Sequence, residues 1–351
     1  MESQTERASA QDTPSGASTS GQLFAPLDDF KVSDMPEMKT SMWKLLGPGA
    51  VMVGLAIGAG EIVIWPYYTA KFGPGMIWAA ALGVFMQIWV NLELARWTIC
   101  TGETPLTGYA RVWRGFAPVF LLLTIMGWLA PGWARTSGQA LKALVTQDPD
   151  GFGSDTFWTC VTFGFVALLL FGPKVAYKAV EISITLMVAI VTLGMITVAY
   201  AVGTQAAWGE LFEGVTNIGY RHPGLSVKEL FIGLVFAGAG GTANLFYCFY
   251  LRDKHIGMGA RVPSIQNPLR GEPEKIPATG FMFPDTPENQ GRFRRWWNYV
   301  RTDTVCVFWF LNTLTIMLFI FGAIAVLRPK GATLKTGSLI WDQAQVLGDV
   351  W

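Results

Sequence analysis

Residues 54–63 read GLAIGAGEIV, an apolar run that holds Gly54, Gly58 and Gly60 and carries a carboxylate, Glu61, in its interior. A second apolar run, residues 233–246, reads GLVFAGAGGTANLF and holds Gly233, Gly238, Gly240, Gly241 and Asn244. Glycine inside a helix costs about 1 kcal/mol relative to alanine, so clustered glycines invite unwinding. In lipid, peptide groups freed by unwinding cost several kcal/mol unless protein, water or a ligand meets them. Two such interruptions in one apolar chain point to the midplane substrate site of a transporter built from repeats. The competing reading makes Gly54, Gly58, Gly238 and Gly241 small residues at close helix contacts. Glu61 favours a site, because a carboxylate near mid-membrane costs at least about 2.5 kcal/mol on insertion scales; a structural ion pair is its alternative.

The rest of the composition agrees with a lipid solvent. Hydrophobic residues make up 51% of the chain and charged residues 15%, outside the balance of a soluble globular domain. A net charge of +1 gives no electrostatic case for nucleic acid, and His222 and His255 both sit in polar segments. Cys100, Cys160, Cys248 and Cys306 lie in or beside apolar segments without CxxC pairing, and are expected as small buried residues. No HExxH, GxSxG or P-loop is present, so neither an enzyme nor ATP-driven transport by this chain alone is indicated, and no cofactor is implied. Coupling to an ion gradient remains as the energy source.

A bilayer core about 30 Å thick needs roughly 20 apolar residues in a helix. Runs of that kind cover residues 45–67, 76–99, 116–134, 157–171, 179–202, 230–251 and 304–327. The fourth is the shortest and stops at Gly172 and Pro173. Residues 1–43 are polar and read as a disordered cytoplasmic tail, followed by a transporter domain over 44–327 and an extracytoplasmic segment over 328–351. Lys and Arg collect in alternate loops, placing the N-terminus inside a bacterial-type cytoplasmic membrane, although Arg328, Lys330 and Lys335 fall outside. Residues 253–301, rich in Pro, Gly and Arg, are expected as a long cytoplasmic loop able to lie on headgroups.

Other polar residues within the spans are Gln87, Asn91, Glu93, Arg96, Arg135, Glu181, Asp303 and Asn312. The three-residue spacings of Glu93 with Arg96 and of Lys178 with Glu181 suggest local pairs, and Arg135 suits interfacial snorkelling. Asn312 is expected either to bond a neighbouring helix or to coordinate an ion, with Asn91 as a further supporting polar group.

In this order the motifs resemble the Nramp family of proton-coupled divalent-metal transporters. The resemblance runs from about Leu45 to Asn312. It rests on GPG at 47–49, IWAAALGVFMQIWVNLELARWTICTG at 77–102, YKAVE at 177–181 and AGAGGTANL at 237–245. It implies an all-α integral membrane protein with the LeuT-like inverted-repeat transporter fold. At least ten helices are expected in the full fold, so this chain is expected to hold the first repeat plus part of the second and to be an incomplete transporter.

The departures bear on the cargo. Where the family carries Asp-Pro-Gly-Asn in the first helix, this chain has Gly58, Ala59, Gly60 and Glu61; where it carries Met-Pro-His-Asn in the sixth, this chain has Gly241, Thr242, Ala243 and Asn244. Only Asn244 carries over. Loss of the thioether removes a soft ligand, and one carboxylate with carbonyls and amides suits a harder ion of the Mg²⁺ or Mn²⁺ class. The negative charge moves three residues, about 4.5 Å along an intact helix. The family's sixth-helix His is Ala243, and Trp133 to Ser137 stand where it has an acidic pair in the third, which argues against its proton handling. The expected ion ligands are Glu61 and Asn244, with backbone carbonyls around Gly58 and from Gly238 to Gly241. An amino acid or other small organic solute on the same fold, and a non-transporting scaffold or sensor, are the alternatives.

Overall fold

The computed structural model describes residues 27–39, 41, 47–129, 131–173, 176–263, 279–329 and 339–348. The expected start of the first span at 45, most of the N-terminal tail, Lys174, the loop centre at 264–278, and Lys330 and Lys335 lie outside those residues.

The first span begins where its sequence permits. Pro48 opens helix α1 (Pro48–Ala56) at a position whose N–H has no helical partner to lose. The helix stops before Gly58, whose φ and ψ of −145° and −145° leave the helical region. A π-helical turn over Ala59–Ile64 then leads into α2 (Trp65–Phe72), which ends on Gly73 at φ 86°. The two halves are bent by 43°. Single π-turns of this kind recur at functional sites.

Helix α3 (Ile77–Thr101) turns Ala79, Ala80, Gly83, Val84, Gln87 and Asn91 inward and Leu82, Phe85, Met86, Trp89 and Val90 outward. One wide face packs on protein and the other is exposed and apolar. A short helix, α4 (Pro105–Val112), precedes the third apolar run. That run, expected as one span over 116–134, divides into α5 (Phe116–Trp128) and α6 (Pro131–Thr146), because Pro131 suits a helix start and not an interior. Helices α7 (Asp155–Phe171) and α8 (Ala176–Val202) follow, then α9 (Gln205–Thr216) in a stretch outside the apolar runs counted from sequence.

The second interrupted run also divides, into α10 (Val227–Val235) and α11 (Ala243–Asp253). Ser226 and Glu229 close a reciprocal capping box at the start of α10. Beyond them the structure departs from the loop expected over 253–301. Thr286 caps a helix α12 (Pro287–Thr302) that runs through a π-turn at Asp303–Trp309 into α13 (Phe310–Gly322). Its inward residues Asn289, Trp296, Tyr299 and Val300 recur at helical spacing, but Arg and Asn around them hide the period. The last element, α14, spans Leu339–Gly348.

Among the described residues, three helices are long and apolar enough to cross a membrane, Pro74–Thr101, Tyr177–Val202 and Pro287–Leu327; the bent pair Pro48–Ala56 and Gly60–Phe72 makes a fourth candidate.

Residues 27–39, expected within the disordered tail, are instead pinned. Lys31–Val32 pairs in parallel with Phe281–Met282. The Met35 amide donates to Asn289 Oδ1 at 3.0 Å, Asn289 Nδ2 donates to Asp34 Oδ1 at 2.9 Å, and Trp296 Nε1 donates to the Pro36 carbonyl at 2.8 Å. Arg111 donates to Glu103 and to the Asp28 carbonyl while lying 3.9 Å over the Phe30 ring.

Candidate functional site

The two interruptions face each other. A Cβ on Gly60 would overlap the Phe236 carbonyl oxygen, so the first break presses its backbone against the second. Trp65 Nε1 donates to the Gly233 carbonyl at 2.9 Å, and the Tyr68 hydroxyl to the Glu229 carbonyl at 2.9 Å, which fixes α2 against α10.

Between α10 and α11 the chain unwinds because Gly240 and Gly241 take φ of 67° and 49°, left-handed values that a side chain disfavours. The amides of Ala243 and Asn244 bond back to Gly240 and Gly241. Among the described residues, the buried carbonyls of Ala237, Gly238 and Ala239 accept no hydrogen bond. Gln87 of α3 spans the gap: its Nε2 donates to the Val235 carbonyl and its Oε1 accepts from the Gly240 amide, each at 3.4 Å. Gly238 lies against this amide, where a Cβ would come within 2.6 Å of Oε1.

The glycines thus divide by role. Gly54 packs on Ile184 and Gly238 on Gln87, as close-contact residues do. Gly58 and Gly241 serve the breaks: a Cβ on Gly58 would meet nothing nearer than 3.6 Å, and one on Gly241 nothing within 4 Å.

Glu61, in the first break, is fully buried. Asn312 Nδ2 of α13 donates to its Oε1, and the Thr315 hydroxyl stands beside the same carboxylate. Its Oε2 has no partner among the described residues. Asn244 is buried at the start of α11, its Nδ2 donating to the Gly241 carbonyl at 3.4 Å while Oδ1 is left unpartnered. Asn91 Oδ1 and Asn312 Oδ1 are likewise buried without partners. The structure brings Glu61 and Asn312 together; it records no hydrogen bond between Glu61 and Asn244 among the described residues. No group of three or more His, Cys, Asp or Glu side chains converges among them either. Orphaned buried oxygens are uncommon in folded proteins, and each calls for a ligand, a water or a mechanical role.

Outside the breaks, three local expectations resolve differently. Glu93 and Arg96 do pair, on the exposed surface, where such a pair contributes little. Glu181 pairs with Lys254 rather than with the exposed Lys178. Arg135 bonds Asp155 across α6 and α7. Two of the cysteines, Cys160 and Cys306, are exposed rather than buried.

Gln87, noted from sequence only as a polar residue within a span, and Thr315, not singled out there, complete the site. Both are polar residues within apolar runs, the one signal by which they were visible.

No family model matches the chain, and no curated protein does. Among solved structures it is similar to a manganese transporter of Eremococcus coleocola, crystallised in complex with an aromatic bis-isothiourea substituted compound. The TM-score is 0.56 and the identity 15%, over 92% of this chain and 66% of that one. The chain therefore spans just under two thirds of that protein's length, and at this identity the likeness carries the helical fold alone.

Proposed function

We propose that the chain moves a divalent cation across the membrane by alternating access, through a site between its two broken helices. The observation that carries this reading is the pair of buried, unpartnered oxygens, Glu61 Oε2 and Asn244 Oδ1, at breaks that touch through Gly60 and Phe236. Glu61 supplies the negative charge. Asn244 and the free carbonyls of Ala237, Gly238 and Ala239 supply neutral oxygens, and Gly58 and Gly241 give the backbone its freedom to shift between states.

A donor set of one carboxylate with amide and peptide oxygens, and no sulfur, suits a hard ion of the Mg²⁺ or Mn²⁺ class. The manganese cargo of the structural neighbour is consistent with that class. We further place Pro48 and the start of α12 on the cytoplasmic side, in line with the Arg-rich flank of α12.

Equilibrium binding to the purified protein, measured for Mg²⁺, Mn²⁺ and a panel of amino acids, tests this reading. Saturable binding of a divalent ion that is lost in Glu61→Gln is the expected result. Binding of an amino acid alone transfers the site to an organic solute, and binding of nothing in the panel leaves a scaffold.

A further inference from the structure

Helix α1 begins without a cap of its own. Its N-cap residue is Gly47, no side chain there bonds the first turn, and no acidic residue stands in that turn. The cap comes from elsewhere: Asp303, fully buried at the junction of α12 and α13, accepts from the Gly49 amide at 2.8 Å and from the Tyr247 hydroxyl at 2.9 Å, both on Oδ2. One carboxylate thus ties the first half-helix, the second half of the other broken helix and the longest helix together. Gly49 fits against it so closely that a Cβ would lie 2.8 Å from the Asp303 carbonyl oxygen. Asp303 Oδ1 has no partner among the described residues.

We propose that Asp303 is a protonatable latch on the first half-helix: ionised, it caps and holds α1; protonated on its free oxygen, it lets α1 go. A full negative charge opposite the positive end of a helix is favourable, and a neutral acid forfeits that attraction. The groups facing Asp303 are Tyr247 of α11, Tyr299 of α12, Tyr177 of α8, and Lys254, which is itself paired with Glu181. The only cation among these is already neutralised by a second carboxylate.

The latch rests on the alternating-access reading above, in which α1 must move, but it can be observed without any cargo. Hydrogen exchange of the amides at 49–53 is followed in the full protein in lipid nanodiscs between about pH 5 and about pH 8, corrected for intrinsic rates. Wild type is expected to exchange on the order of tenfold faster at the acid end. Asp303→Asn is expected to exchange fast at both ends, without the pH step. Equal pH dependence in both proteins, or none in wild type, overturns the latch. Tyr247→Phe keeps the carboxylate and removes one donor to its ionised form, so the step moves to higher pH; a step that does not move overturns the proposal even where Asp303→Asn fails to fold. An intact step beside absent cation uptake sinks the transport reading alone.

Discussion

The Asn312 amide of α13 donates to one oxygen of the Glu61 carboxylate, a bond closed between positions 251 residues apart, and leaves the other oxygen bare. The pair fixes where the only carboxylate of the first break points. Asn312→Ala removes that donor from a buried acid and is expected to lower stability by about 1–3 kcal/mol. A double-mutant cycle with Glu61→Gln, read from thermal unfolding in detergent, is expected to show coupling above about 0.5 kcal/mol. Additive effects contradict the pairing.

The touching breaks make a steric prediction. Gly60→Ala drives a methyl into the Phe236 carbonyl and is expected to cost about 3 kcal/mol or more, whereas Gly58→Ala, two residues away, meets nothing nearer than 3.6 Å. Yield and melting temperature of the two variants check the order. A Gly60→Ala protein as stable as Gly58→Ala would place the breaks apart.

The pinned segment before α1 depends on Asn289, which bonds the Met35 amide, the Asp34 carboxylate and the Pro284 carbonyl. Asn289→Ala leaves those groups unmet, and limited proteolysis is expected to cut within 28–36 in the variant while sparing wild type.

The start of α10 has its own pH signature. Hydrogen bonds from the Ser226 side chain, and then from its amide, hold the Glu229 carboxyl below its ordinary range. A depressed folded-state value means that the cap stabilises above the unfolded pKa and is lost as pH falls through the folded one. Exchange at the first amides of α10 is expected to quicken only under acid conditions below the ordinary glutamate range. Ser226→Ala should raise it at neutral pH as well.

The breaks were legible because glycine clusters and a lone carboxylate are loud against an apolar background, and Gly58, Glu61, Gly238, Gly241 and Asn244 all fall at or beside the interruptions. The partnerships were not. Spacing pairs Glu181 with Lys178, yet Glu181 meets Lys254 from the end of α11, a neighbour that only the tertiary fold supplies. Helix α12 escaped because its inward residues Asn289, Trp296 and Tyr299 are polar or amphipathic, and its flank of Arg reads as loop. Asp303 looked like a polar residue at the edge of a span, since nothing local reveals that it caps a helix 254 positions earlier.

The most direct test of the central claim is uptake of Mn²⁺ and Mg²⁺ into liposomes holding the protein, wild type against Glu61→Gln, with and without a proton gradient. The account predicts saturable uptake of at least one of these ions by wild type and its abolition in Glu61→Gln, a variant that keeps the shape of the side chain and removes its charge. Undiminished uptake by Glu61→Gln would contradict it.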